Sequence, residues 1–366
     1  MIWRCDLTPQ YHAYKREIDE AISRVLESGR YTLGPEVEAF EREFAQYLGI
    51  AHAVGVASGT DALILSLMAL GIRPGDEVIT SPFTAIPTIS AIIDTGAMPV
   101  FADIDPDTWL VNLEEIAKRV TRKTKAVIPV HIFGNVVDVP RLKTLIPSHI
   151  SIIEDACQSH GSTLNGIQSG TMGDVGAFSF YPTKNVGAYG DGGAIVTRDQ
   201  AVAEKLRFLR MYGMTDKDHT VMHGVNSRLD ELQAAILRVK LRHLDEMNVK
   251  RDAVATRYHE GLRANLFQHQ AIPSNVVSNY HLFTTRLLAG PRDAFIAYLD
   301  DHDIQSNIYY PLPQHLQKAY EFLGHKKRDF PVAEAVCEQV ITLPLYPELP
   351  AETQLKVIDI INAYGR

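Results

Sequence analysis

From Ala51 the chain alternates short apolar runs with helical stretches, and this alternation is what most limits the fold. His52 to Ala57 reads as a strand, and SGTDALILSLMAL then starts a helix. Ser151 to Cys157, Ala177 to Phe180 and Ala194 to Val196 read as further buried strands. Strands this short and apolar, spaced by helices, are covered on both faces, so the expected core is a mostly parallel sheet in a three-layer α/β/α arrangement. Two helices are expected before the sheet. One runs from about Tyr14 to Ser28, with Ile18, Ile22, Val25 and Leu26 on one face and Gly29 as its stop. The other opens at Pro35 and repeats Val37, Phe40, Phe44 and Tyr47 at helical spacing, as core or subunit interface.

At 366 residues the chain is long enough for a large domain, expected over 1–240, and a smaller α/β domain over 241–366. In the smaller part, Leu282–Leu288 reads as a strand, Asp293–Asp301 as a helix and YYPLPQHL at 309–316 as a loop. The formal charge of −8, from 36 basic and 44 acidic residues, argues against nucleic acid as a partner. Cys5, Cys157 and Cys337 are odd in number and form no CxxC pair, which points to a reducing compartment and no disulfide framework. The N-terminal segment carries charges where a signal peptide needs an apolar core, and no run of about 18 apolar residues occurs, so no membrane span and a cytoplasmic location are expected. No second histidine stands at metal-ligand spacing from His131, which reads as a core histidine satisfied by hydrogen bonds, and no metal site is expected.

The chemistry centres on GAFSFYPTKNVGAYGDGGAIVT, 176–197. Pro182 stops any helix, which leaves Lys184 on a tight loop whose later glycines let the backbone approach something bulky. An amine in a semi-apolar pocket loses its proton more easily, and a neutral lysine can form a Schiff base with an aldehyde. A surface lysine in a glycine loop is the simpler account of Lys184 taken alone. Asp155, however, falls at the carboxyl end of a buried strand, where open α/β sheets build their sites, with Glu154 pointing to the opposite face as a cap or a solvated carboxylate. At the junction of strand and helix, backbone N–H groups of Gly59 and Thr60 could bind a phosphate, with a Ser58 cap and no ligand as the alternative.

Eight segments in this order extend the pattern over nearly the whole chain. They are ASGTDAL (57–63), PGDEVIT (74–80), GAMPVFADIDPDT (96–108), PVHIFGN (129–135), IEDACQSHG (153–161), SFYPTKN (179–185), GDGGAIVT (190–197) and GVNSRLDELQAA (224–235). Together they resemble the DegT/DnrJ/EryC1/StrS family of pyridoxal-phosphate sugar aminotransferases. The resemblance implies fold type I of the PLP-dependent transferases, with pyridoxal 5'-phosphate (PLP) bound as a Schiff base to Lys184. It implies Asp155 at the ring nitrogen, Gln158 near the phenolic oxygen, and Gly59, Thr60 and Ser179 at the phosphate. Phe83 is the nearest aromatic for the ring face, since Ala85 stands where many relatives carry a large aromatic. Asn226 matches an asparagine that reaches the cofactor phosphate of the partner subunit, which implies a homodimer with shared active sites. His281, Tyr309, Tyr310 and His315 are candidates to line a sugar pocket, with core packing or surface placement open for each.

The resemblance further implies two-step transamination from L-glutamate to a nucleotide-linked keto sugar, with Lys184 as general base. Relatives that dehydrate their substrate carry histidine in place of this lysine. SFYPTKN with GAYGDGGAI resembles members acting at C-3 of a dTDP-linked 3-keto-6-deoxyhexose. C-4 amination of a 4-keto sugar, an inosose aminotransferase and a regulatory protein without catalysis are the alternatives. Cell-surface polysaccharide or a glycosylated natural product would be the destination.

Overall fold

The computed structural model describes residues 1–365. A seven-stranded sheet runs in the spatial order His52–Val56, Gly193–Thr197, Val175–Ser179, Ser151–Asp155, Thr124–Ile128, Glu77–Thr80 and Met98–Phe101. Gly193–Thr197 is antiparallel to both neighbours, and every other pairing is parallel. Alternate residues of each strand feed different cores, as the two-residue period of a strand requires. Val54, Ile128, Ile153, Ala177 and Ile195 face helices Gly59–Ala69 and Gln200–Leu209. On the other face, Phe178 and Val196 meet helices Pro35–Leu48 and Glu231–Arg242, while Val127 and Ile152 meet Leu113–Arg119 and Val139–Leu145.

A second, antiparallel sheet joins Phe267–His269, Phe283–Leu287 and Val340–Leu343. Helices Leu244–Gly261, Arg292–Asp301 and Ala351–Ala363 cover it through Tyr258, Phe295, Leu299 and Ile361. The N-terminal residues are tied to this part of the chain. Ile2 bridges Ile304, Arg4 N–H donates to Gln305 Oε1 at 3.0 Å, and Leu345 N–H donates to Arg4 O at 3.0 Å.

Three elements differ from the sequence reading. The first helix starts at Thr8, because Pro9 is tolerated in a first turn and Gln10 is already buried. The stripe Leu229, Leu232, Ile236 and Val239 predicts one long helix running on past Leu241, whereas the chain forms two, Glu231–Arg242 and Leu244–Gly261, interrupted at His243. Glu154 is neither a cap nor solvated. It points to the opposite face from Asp155, as the strand period demands, but it is fully buried. Its carboxylate accepts from His131 Nε2–H at 2.8 Å and from the backbone N–H groups of Gly170, Met172 and Gly173. His131 Nδ1 accepts Val137 N–H at 3.0 Å, which fixes the tautomer that donates to Glu154. Among the described residues no helix is long and apolar enough to cross a membrane, and the three cysteines are free thiols.

Glu154→Ala would leave four buried donors without a partner, and is expected to cost about 3 kcal/mol of stability in urea denaturation. A loss under about 1 kcal/mol would show that the carboxylate is dispensable to the sheet.

Candidate active site

A cavity of about 290 Å3 opens at the carboxyl ends of the central strands. Ser58, Gly59, Thr60, Asp155, Gln158, Ser179 and Lys184 share its wall although they come from three separate stretches of chain.

Ser58 is extended, and its Oγ accepts Asp61 N–H at 3.1 Å, so it caps helix Gly59–Ala69. The next N–H groups, of Gly59 and Thr60, have no partner within the helix. Only glycine fits at 59, since a Cβ there would lie 2.5 Å from Ser179 Cβ and 3.1 Å from Cys157 Sγ. At Gly193 a Cβ would lie 2.3 Å from Ser58 O. These two close approaches press the positive end of the helix against the end of strand Val175–Ser179. The result is a cradle of N–H groups and hydroxyls suited to a phosphate ester.

Asp155 is buried at the end of its strand, where Oδ2 accepts Thr88 Oγ1–H at 2.9 Å and Oδ1 accepts Cys157 N–H at 3.3 Å. Thr88 in turn accepts from Thr84 Oγ1–H at 2.9 Å, which holds the carboxylate in one orientation. The backbone turn at Lys184 is closed by its N–H to Tyr181 O at 2.8 Å. Gly187 is needed there, because a Cβ would lie 2.2 Å from Pro182 O. Burial lowers the pKa of Lys184, with the nearby Cys157 and Asp155 opposing the shift. Burial also raises the Cys157 thiol well above its ordinary range. His160 is pushed down to about 3 and His281 well below the usual imidazole value, in each case by burial first and the Lys184 charge second. Cys157, His160 and His281 are therefore neutral near pH 7, while burial shifts Lys184 towards its neutral form in the wall it shares with Asp155.

Gln158 Oε1 accepts Phe133 N–H and its Nε2 donates to Tyr310 Oη, both at 2.8 Å. Phe133 and Tyr310 each hold a left-handed backbone, at φ 61° and 62°, and their rings stack at 5.9 Å. Phe83 stands edge-on to both rings and is 1% exposed. That aromatic cluster draws Phe83 out of the cavity wall, where Ala85 and Pro87 stand instead. His315 also lies elsewhere, in the core against Phe101 and Phe330 with Nε2 hydrogen-bonded to Glu334 Oε1 at 3.1 Å. His281 lies outside the wall, its Nδ1 3.2 Å from Oδ1 of Asn185, the residue after the reactive lysine. Tyr309 is half-buried under the Arg4 guanidinium. Asn226 is exposed and outside the wall, but the adjacent Ser227 donates to Asp61 Oδ2 at 2.7 Å and accepts Ala57 N–H at 3.0 Å, which ties this segment to the helix start.

Sequence reasoning missed Thr88, Cys157, Tyr181 and Asp191, which also line the cavity. The signal for Thr88 was its segment, SPFTAIPT, which follows a strand at the site's edge. No local pattern singles out one of its two interior threonines.

The fold and this wall define an α/β enzyme with a half-buried lysine of lowered pKa beside a cradle suited to an anion. The DegT/DnrJ/EryC1/StrS aminotransferase family model matches residues 12–362, and the chain belongs to that family. It is 43% identical over 364 residues to the dTDP-3-amino-3,4,6-trideoxy-alpha-D-glucose transaminase of Streptomyces venezuelae, covering 98% of this chain and 95% of that protein. It is 40% identical over 363 residues to the pleiotropic regulatory protein of Geobacillus stearothermophilus, covering 99% and 98%. Among solved structures, S. venezuelae DesV in complex with a ketimine intermediate superposes with a TM-score of 0.94 at 44% identity, covering 98% and 96%. NtdA of Bacillus subtilis with bound cofactor PMP superposes at 0.88 and 30%, covering 95% and 81%.

Because its pKa is lowered, the Lys184 amine of the cofactor-free protein should react with an aldehyde near neutral pH more readily than an exposed lysine does. Reductive labelling with a small aldehyde, mapped by mass spectrometry, should mark Lys184 before the exposed lysines. Even labelling across the surface would contradict this.

Proposed function

We propose that the protein uses pyridoxal 5'-phosphate to transfer an amino group from L-glutamate to C-3 of a nucleotide-linked 3-keto-6-deoxyhexose, with dTDP as the nucleotide. The observation that carries this reading is one cavity wall shared by Lys184, Asp155 and the Gly59–Ser179 cradle. The cradle fits the cofactor's phosphate, and a buried, oriented carboxylate fits its ring nitrogen. When bound, PLP supplies an aldehyde for Lys184 and an electron sink.

The chain's own residues do the rest. Gly59 and Thr60 N–H groups and the Ser179 hydroxyl bind the phosphate. Asp155, held by Thr88, fixes a positive charge on the ring nitrogen. Gln158, braced by Tyr310, stands beside the phenolic oxygen. Lys184 Nζ, its pKa lowered by burial, would take the proton from the donor's α-carbon and later deliver one to the carbon that receives the amino group. The S. venezuelae transaminase named above supports C-3 over C-4 and over an inosose. The full set of lysine, aspartate, glutamine and serine supports catalysis over a purely regulatory role, despite the regulatory name of one relative.

We further infer a homodimer of two-fold symmetry, acting in the cytoplasm on a path to cell-surface polysaccharide or a glycosylated natural product. Exposed Asn226, fixed beside the cradle through Ser227, would reach the phosphate of the other subunit's cofactor. The smaller domain is assigned to 241–366, a division supported by the second sheet, whose three strands all lie beyond residue 240.

The deciding experiment loads the holoenzyme with L-glutamate and offers it 3-keto and 4-keto nucleotide sugars in a single turnover followed by absorbance. Return of the original spectrum with a 3-keto substrate is expected. Return only with a 4-keto substrate would overturn the regiochemistry, and no return with any sugar would overturn the substrate class. Lys184→Ala should lower turnover by about 10⁴-fold or more, since a positioned base and covalent catalysis are lost together. Asn226→Ala should weaken PLP binding by about fivefold while ultracentrifugation still reports a dimer, and unchanged affinity would sink the shared-site reading.

A further inference from the structure

The charge inside the cavity does not match the substrate assigned to it. Its wall holds Asp155 and Asp191, and among the described residues lining it Lys184 is the one cation. That lysine is committed to the chemistry. Glutamate brings two carboxylates and a sugar nucleotide brings a diphosphate, so a further positive group, from this chain or from the partner subunit, has to meet them.

Several nearby guanidinium groups are already engaged. Arg210 is paired with Glu41 and donates to Gly55 O at 2.7 Å. Arg251 is buried, and its Nη1 faces the carbonyls of Tyr280 and His281 at 3.4 and 3.3 Å. Arg4 is different. It forms no ion pair with a carboxylate of the described residues, and its guanidinium carbon lies 5.4 Å from the centre of the Tyr309 ring. Tyr309 precedes Tyr310, which hydrogen-bonds the wall residue Gln158. Arg4 also lies within electrostatic reach of His281, the same imidazole that feels Lys184.

Its backbone is fixed on both sides, by the N–H to Gln305 and by the carbonyl to Leu345 N–H. An aromatic face beneath a guanidinium occupies its plane and leaves the N–H edge free to bind an oxyanion in two-point fashion. A free, pre-positioned arginine, lying over the residue next to the tyrosine that braces a net-acidic cavity wall, is what an anionic substrate requires.

We propose that Arg4 is a specificity-determining residue that receives an oxyanion of the substrate, either a carboxylate of the amino donor or the diphosphate of the sugar nucleotide. The proposal rests on the aminotransferase reading above. The N-terminal strap thereby serves as part of the substrate site.

The test compares wild-type holoenzyme with Arg4→Met, which keeps the stem over Tyr309, and Arg4→Lys, which keeps the charge. L-Glutamate is titrated by cofactor absorbance and dTDP by calorimetry, so neither readout needs turnover. Arg4→Met should weaken one of the two ligands by about 10- to 100-fold and leave the other within twofold, and the affected ligand identifies the source of the oxyanion. Arg4→Lys should recover part of the loss. Unchanged affinity for both ligands would overturn the proposal. So would equal weakening of both together with a lowered melting temperature, since the strap would then be merely structural. Wild-type enzyme that binds neither ligand would instead overturn the aminotransferase reading itself.

Discussion

Neighbouring residues of a strand face opposite sides of a sheet, and the end of strand Ser151–Asp155 uses this to give two adjacent carboxylates unrelated tasks. Glu154 turns away from the cavity and gathers the backbone N–H groups of Gly170, Met172 and Gly173. That fixes the loop before strand Val175–Ser179. The loop lies so close to the strand that a Cβ on Gly176 would sit 2.1 Å from Gly170 O. The strand ends at Ser179, against which Gly59 packs. Asp155 turns towards the cavity and is held by Thr88. The N–H cradle and the Asp155 carboxylate thus inherit their relative position from one pair of residues.

Lysine in a buried site needs surroundings that do not supply it with a strong counter-charge, or it stays protonated. Here Cys157, His160 and His281 are kept neutral by the burial that also acts on the lysine. Cys157 stays a thiol and His160 stays an imidazole packed between the rings of Phe178 and Phe180. Asp155 is kept close by, but two hydrogen bonds direct its oxygens to Thr88 and to the Cys157 N–H.

Much of this was legible in the sequence because strand ends and helix starts are local features. The sheet, the glycines at 59 and 193, and the strand ending in Asp155 all follow from short-range patterns. The placement of Lys184, Asp155, Gln158 and Ser179 in one wall follows once these strands are parallel neighbours. What escaped depends on contacts between distant stretches. Phe83 is turned inward by Phe133 and Tyr310, and Gln158 meets a tyrosine 152 positions away. Histidine in the 309–316 loop reads equally well as a site or core residue until Glu334 and Phe330 are seen beside it. The first helix began early because Pro9 and Gln10 do not fit the apolar stripe from which its start was read.

The N-terminal strap also constrains how the molecule is made. Arg4 N–H bonds a side chain 301 positions further on, and its carbonyl waits for Leu345. A ribosome makes the chain from its N-terminal side, so Arg4 emerges 301 positions ahead of Gln305. Contacts of such long range close slowly, after the sheets to which they belong. The strap is therefore a latch that can close only after the segments carrying Gln305 and Leu345 have been made.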